Sequence, residues 1–178
     1  MSSLSPTPTV AHEQPSVITS VVVCQTGEAR GHGVWIDRDF VEALIAEGNH
    51  GLRGIKARFG HALPGKDPVG TEIGRFRQFR LVYDASRSIA MGQECWSAVA
   101  DLHLAPTAHN ASAIAHLTGL AETDPGLIGA SIEFRPGVPT GGSNPWGLPH
   151  ETLAELFAIA ITSDPACVDG GLVRVSTV

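Results

Sequence analysis

Gly129-Ala130-Ser131-Ile132-Glu133-Phe134 is a short apolar run with one hydroxyl inside it, entered through Asp124-Pro125-Gly126. Its alternation is that of a strand: Ile132 and Phe134 share one face, Ser131 and Glu133 the other. Gly129 lets a second backbone or a substrate come close. A strand serine is ordinarily structural or solvated. It becomes a nucleophile where a histidine reaches its oxygen. The rest of the chain decides between the two.

Outward from this strand the pattern is mostly β. Residues 17–24 are a β-branched run, a buried strand. Residues 27–33 carry three glycines and predict a turn; Gly31-His32-Gly33 lacks the spacing of a dinucleotide loop, so no cofactor is expected. Val34-Trp35-Ile36 predicts a short strand. Asp37 predicts an N-cap, with Phe40, Val41, Leu44 and Ile45 at helical spacing and Gly48 closing a helix over 38–47. Residues 55–60 form a strand-like piece that delivers His61 into a loop rich in proline and glycine. Loop residues set on rigid elements are well placed for chemistry. Residues 74–83 predict a strand, 84–88 a turn and 95–104 another strand. On that strand Val99, Asp101 and His103 share one face; Ala100, Leu102 and Leu104 share the other. A helix is expected over 110–122, a long loop over 136–149 serving as a flap or a plain connection, and a helical turn over 151–155. Leu156-Phe157-Ala158-Ile159-Ala160-Ile161 is wholly apolar and predicts a fully buried strand. Residues 172–175 predict a last one.

The 178 residues suit one domain, expected over 17–178 behind a disordered arm at 1–16 rich in Ser, Pro and Thr. Hydrophobic content of 43% and charge of 17% are those of a globular chain. The net charge of -6 argues against a general nucleic-acid binder. Cys24, Cys95 and Cys167 are far apart and form no C-x-x-C pair, so neither a zinc site nor a disulfide framework is expected. The eight histidines contain no H-E-x-x-H, and no metal is expected. No signal-peptide pattern or bilayer-spanning run is present in the sequence. Arg53, Lys56, Arg58, Arg75, Arg77 and Arg80 make the middle locally basic; this is a solvated strand face or a surface for an acidic segment.

Several motifs, in order, carry a resemblance. Lys56-Ala57-Arg58-Phe59-Gly60-His61, followed by Gly70 and Gly74-Arg75-Phe76, resembles the histidine region of tailed-phage prohead (capsid maturation) serine proteases. Ala100-Asp101-Leu102-His103-Leu104 is similar to the strand that follows there. Residues 121–125 through Gly129-Ala130-Ser131-Ile132-Glu133-Phe134 resemble the serine region, and Phe157 to Ala166 the closing strand and its Pro-Ala turn. The resemblance runs from about residue 17 to 175. It implies a fold related to the herpesvirus maturation proteases: mainly β with flanking helices (α+β), a closed barrel of six to seven strands. It implies a serine endopeptidase with Ser131 as nucleophile and His61 as general base. The implied partners are the phage scaffold protein and the N-terminal segment of the major capsid protein. Self-cleavage is also implied, in the host bacterial cytoplasm inside the assembling prohead. Self-association, as a dimer or larger, stays open.

The family's third group is a second histidine, or a polar residue on the closing strand. Here that strand reads Ala158-Ile159-Ala160. His103 is the candidate, with Asp101, Glu133, Glu155 and Asp164 as rivals; a dyad with no third residue also stays open. The alternative is a non-catalytic assembly module that keeps the protease fold.

Overall fold

The computed structural model describes residues 17–61, 71–163 and 165. The expected arm at 1–16, the loop after His61, Asp164, Cys167 and the strand at 172–175 lie outside the described residues.

Among the described residues eight strands and three α-helices follow one another. They are β1 (Val17–Gln25), β2 (Gly27–Ala29), β3 (Val34–Ile36), α1 (Arg38–Asn49), β4 (Ile55–Phe59), β5 (Glu72–Tyr83) and α2 (Ala85–Met91), then β6 (Trp96–Leu104), α3 (Ala111–Thr123), β7 (Gly129–Pro136) and β8 (Leu153–Thr162). Six strands form one sheet in the order β1-β6-β5-β4-β8-β7, antiparallel except between β4 and β8. β2 and β3 form a separate ribbon: β3 is the strand expected at 34–36, and β2 takes the first three residues of the expected turn.

The register gives the sheet one apolar face. Leu104, Gly74, Ala57, Ile159 and Ile132 lie in a single row across five strands. Ile18, Leu102, Phe76 and Ile55 make the next row. All but Ile55 and Gly74 of these are buried in the core. Glycine is required at 74, since a Cβ there would stand 2.1 Å from the His103 carbonyl oxygen. α1 covers this core with Phe40, Val41 and Leu44, each burial contributing roughly 1.5–3 kcal/mol. Asp37 caps α1 as predicted, accepting from the Phe40 amide at 2.8 Å. Gly48 does not end the helix. It is buried in the last turn against the Phe79 ring, where a Cβ would come within 2.6 Å, and so lets α1 lie close to β5.

Several irregularities interrupt the ladders, and two of them share one set of ties. β1 is irregular between Ile18 and Val21, and β5 between Arg77 and Arg80. Ser20 (φ 60°) and Gln78 (φ 57°) are left-handed there, unusual for residues with a Cβ. Asp101 of β6 stitches both bulges. It accepts from the Ser20 amide (2.8 Å) and Arg80 (3.1 Å), and Arg80 also donates to Ser20 Oγ (2.7 Å). Asn49 holds the Phe79 backbone by both its amide and its carbonyl. Bulges bend a strand and add twist, and this sheet curls into a half-barrel.

The expected closed barrel is not what the described residues form. No ladder joins β1 to β7 among them, although the two strands meet across the seam. Ile18, Val21, Ile128 and Ile161 line that seam together with Leu117 of α3 and belong to one apolar core, so side-chain packing stands where backbone hydrogen bonds would close a barrel.

Two further expectations change. Residues 84–88 belong to α2, capped by Asp84 through the Arg87 amide (2.9 Å) and ended by left-handed Gly92. Residues 151–155 lead into β8 rather than forming a helical turn. The 136–149 loop is tied down at its end: Trp35 donates to the Pro149 carbonyl (2.8 Å), the Trp35 and Trp146 rings lie 5.2 Å apart, and His150 Nδ1 is 2.7 Å from Asp37. No helix among the described residues is long and apolar enough to cross a membrane.

Candidate active site

Ser131 and Glu133 project from β7 on the face away from the core, as their alternation requires. Register places Arg58 of β4, Ala160 of β8 and Ser131 in one row, and Lys56, Ala158 and Glu133 in the next. The two alanines explain why the closing strand carries no polar group. A methyl at 158 and 160 leaves space over β8, and long side chains from β4 and β7 meet across it. Arg58, only 7% exposed at its side chain, reaches Glu133 Oε2 at 3.3 Å.

His61 arrives from the end of β4. The Gly60 amide donates to the Ile161 carbonyl (3.0 Å), and Gly60 is left-handed at φ 64°, which turns the chain toward β7. His61 Nδ1 then lies 3.3 Å from Glu133 Oε1. Glu133 thus holds an imidazole on one oxygen and a guanidinium on the other. With Glu133 accepting at Nδ1, the proton of a neutral His61 sits on that nitrogen, and Nε2 keeps its lone pair.

His61, Ser131 and Glu133 all line one cavity of about 530 Å³ between β7 and the β2–β3 ribbon. Val34, Ile36, Phe134 and Phe157 supply its apolar wall; His32 and Glu151 add polar groups. Phe157 was expected to be buried. An irregularity opposite it, between Glu133 and Phe134, shifts the strand's alternation, and the ring is 46% exposed. Ser131 is nearly enclosed. Among the described residues His61 and Ser131 share the cavity without a direct hydrogen bond, and catalytic bonds of this kind often tighten only when substrate is bound. Gly129 does admit a close neighbour, the Pro165 ring, which a Cβ would meet at 2.6 Å.

The other candidates go elsewhere. His103 is on the same sheet face, in the row Val17–His103–Arg75–Lys56–Ala158–Glu133, but four strands from Glu133. At about 4.8 Å per strand that is roughly 19 Å along the sheet. It lines a different cavity, with Arg75 and Arg77. Asp101 is committed to the bulges, and Glu155 pairs with exposed Arg135 at 2.9 Å. Only Glu133, of the residues weighed as the third group, touches His61 among the described residues. The signal was its i+2 spacing from Ser131; Arg58 left no local signal. No three His, Cys, Asp or Glu side chains among the described residues converge as metal ligands.

Compared with known proteins, the chain matches no family model, no curated protein and no solved structure.

Proposed function

We propose that the protein is a serine endopeptidase of the prohead-maturation type, with Ser131 as nucleophile, His61 as general base and Glu133 as the residue that orients His61. The observation that carries this reading is the shared cavity in which a carboxylate holds Nδ1 of an imidazole beside a strand serine. Ser131 Oγ attacks the carbonyl carbon of a peptide bond while His61 Nε2 takes its proton. The imidazolium then returns that proton to the leaving amine, and an acyl-enzyme forms. Water, deprotonated by the same nitrogen, releases the acid and restores Ser131. Glu133 fixes the tautomer and steadies the imidazolium charge, as the acidic member of such triads does.

The cavity beside Ser131, walled by β7 and the β2–β3 ribbon, is where an extended substrate would lie. The order of His61 after β4 and Ser131 on β7, with a curled sheet between, supports the herpesvirus-protease-like architecture and, through it, scaffold and capsid-protein segments as substrates inside a prohead. The non-catalytic alternative drew on the missing polar group of β8; Glu133 offers that group from β7 instead. A fluorophosphonate probe decides between the two. Labelling at Ser131 that is lost in His61→Ala is the expected result, together with cleavage of the scaffold and capsid proteins that is lost in Ser131→Ala. Absence of labelling in the folded wild-type protein, or cleavage that survives Ser131→Ala, would end the protease reading.

A further inference from the structure

The fold sorts the six cations clustered in the middle of the sequence. Arg58 is taken by Glu133, Arg80 by Asp101 and Lys56 by Glu72 (3.2 Å). Arg75 and Arg77, alternate residues of β5, instead line a cavity of about 750 Å³ with His103 and His109. That volume falls within the range usual for ligand sites, roughly 300–1,000 Å³.

This cavity is short of negative charge. The one carboxylate that lines it among the described residues, Glu72, is engaged by Lys56. Asp101, directly across the ladder from Arg77, is engaged by Arg80 and the Ser20 amide. Arg75 faces His103 on one side and Lys56 on the other, so neither ladder neighbour offers it a carboxylate. Arg75 gives one N–H to the Gly54 carbonyl (3.1 Å), whereas exposed Arg77 has no acidic partner among the described residues. Independently of these charges, His103 Nε2 is enclosed without a hydrogen-bond partner among the described residues.

We propose that this cavity is a docking site for a short acidic peptide segment bound in extended form, with carboxylates on alternate residues. The argument is one of spacing. Arg75 and Arg77 stand two residues apart on a strand, about 6.6–6.8 Å, and side chains i and i+2 of an extended peptide have the same separation. Two such carboxylates meet both guanidinium forks at once, in the geometry that favours arginine for this task. A long polyanion would meet the chain's net charge of -6, whereas a short segment meets only the cavity.

Docking here does not depend on catalysis at Ser131, so the test uses the full chain carrying Ser131→Ala. Fluorescence anisotropy compares a labelled Asp-Ala-Asp-Ala-Asp peptide with Ala-Asp-Asp-Asp-Ala, and inorganic phosphate serves as competitor. The alternating peptide should bind at least about tenfold more tightly than the clustered one. Arg77→Gln should weaken it about tenfold and Arg77→Glu should remove it, while Arg53→Gln, outside the cavity, leaves it unchanged. Arg77 is exposed, and near-ultraviolet circular dichroism checks that its variants stay folded. Equal binding of the two peptides, wild-type affinity in Arg77→Glu, or phosphate competing as well as the peptide itself would overturn the proposal; the last would reassign the cavity to free anions.

Discussion

Two cavities open on one face of the same sheet, and each holds a histidine from a strand or its end. They differ in what stands beside the ring. His61 has a carboxylate on Nδ1, and that carboxylate is backed by Arg58. His103 faces Arg75 across the ladder and has an enclosed nitrogen without a partner among the described residues. A carboxylate at Nδ1 fixes the orientation of the ring, which is the part proposed for Glu133 beside Ser131; arginines beside the ring supply donors for the acidic segment proposed at the second cavity. Residue identity names candidates, and the neighbours decide between them.

The comparison breaks most readily at the first cavity. Ser131→Ala and His61→Ala should each cost about 10³-fold or more in kcat for peptide cleavage, measured on scaffold protein, with the fold intact by circular dichroism. If His103→Ala costs as much as His61→Ala, the contrast between the two histidines fails.

Glu133→Gln comes next. An amide can donate to Nδ1 and so favour the wrong tautomer. A fall in kcat of about 10²-fold or more is expected, with KM little changed. A merely structural Glu133 would leave kcat alone. Glu133→Ala also strands Arg58, whose side chain is 7% exposed, and should lower stability by about 3 kcal/mol in urea unfolding.

Ala160→Leu sharpens the point about space. It leaves every polar group in place but fills the gap over β8 between Arg58 and Glu133. A loss of about 1–3 kcal/mol and weaker fluorophosphonate labelling are expected, whereas labelling at the wild-type rate would show that the gap is not what admits His61. The smallest effect belongs to His103→Gln. Cleavage should stay within about twofold of wild type, since His103 lines a different cavity from Ser131 and His61.

Much of the fold was legible locally. The strand of Ser131, the Asp37 cap and the two faces of β6 follow from alternation and capping, which depend only on near neighbours in sequence. The misreadings fall where distant contacts intervene. The glycines at 27–33 read as a turn, yet residues 27–29 form β2 and pair with the strand at 34–36. Phe157 read as core, yet an irregularity opposite it turns the ring outward. Asp101 read as a candidate for chemistry, yet it secures two bulges in β1 and β5 that no local pattern announces.

The sequence by itself determined the chemical inventory, the strand faces and the placing of Ser131 and Glu133 on one side of β7, because side-chain alternation is a property of a single strand. Only the tertiary structure decided which histidine joins them. That choice depends on β8 lying between β4 and β7 with methyl groups at 158 and 160, and on Gly60 turning the chain so that His61 reaches Glu133. Both are matters of pairing between segments that lie far apart in the chain.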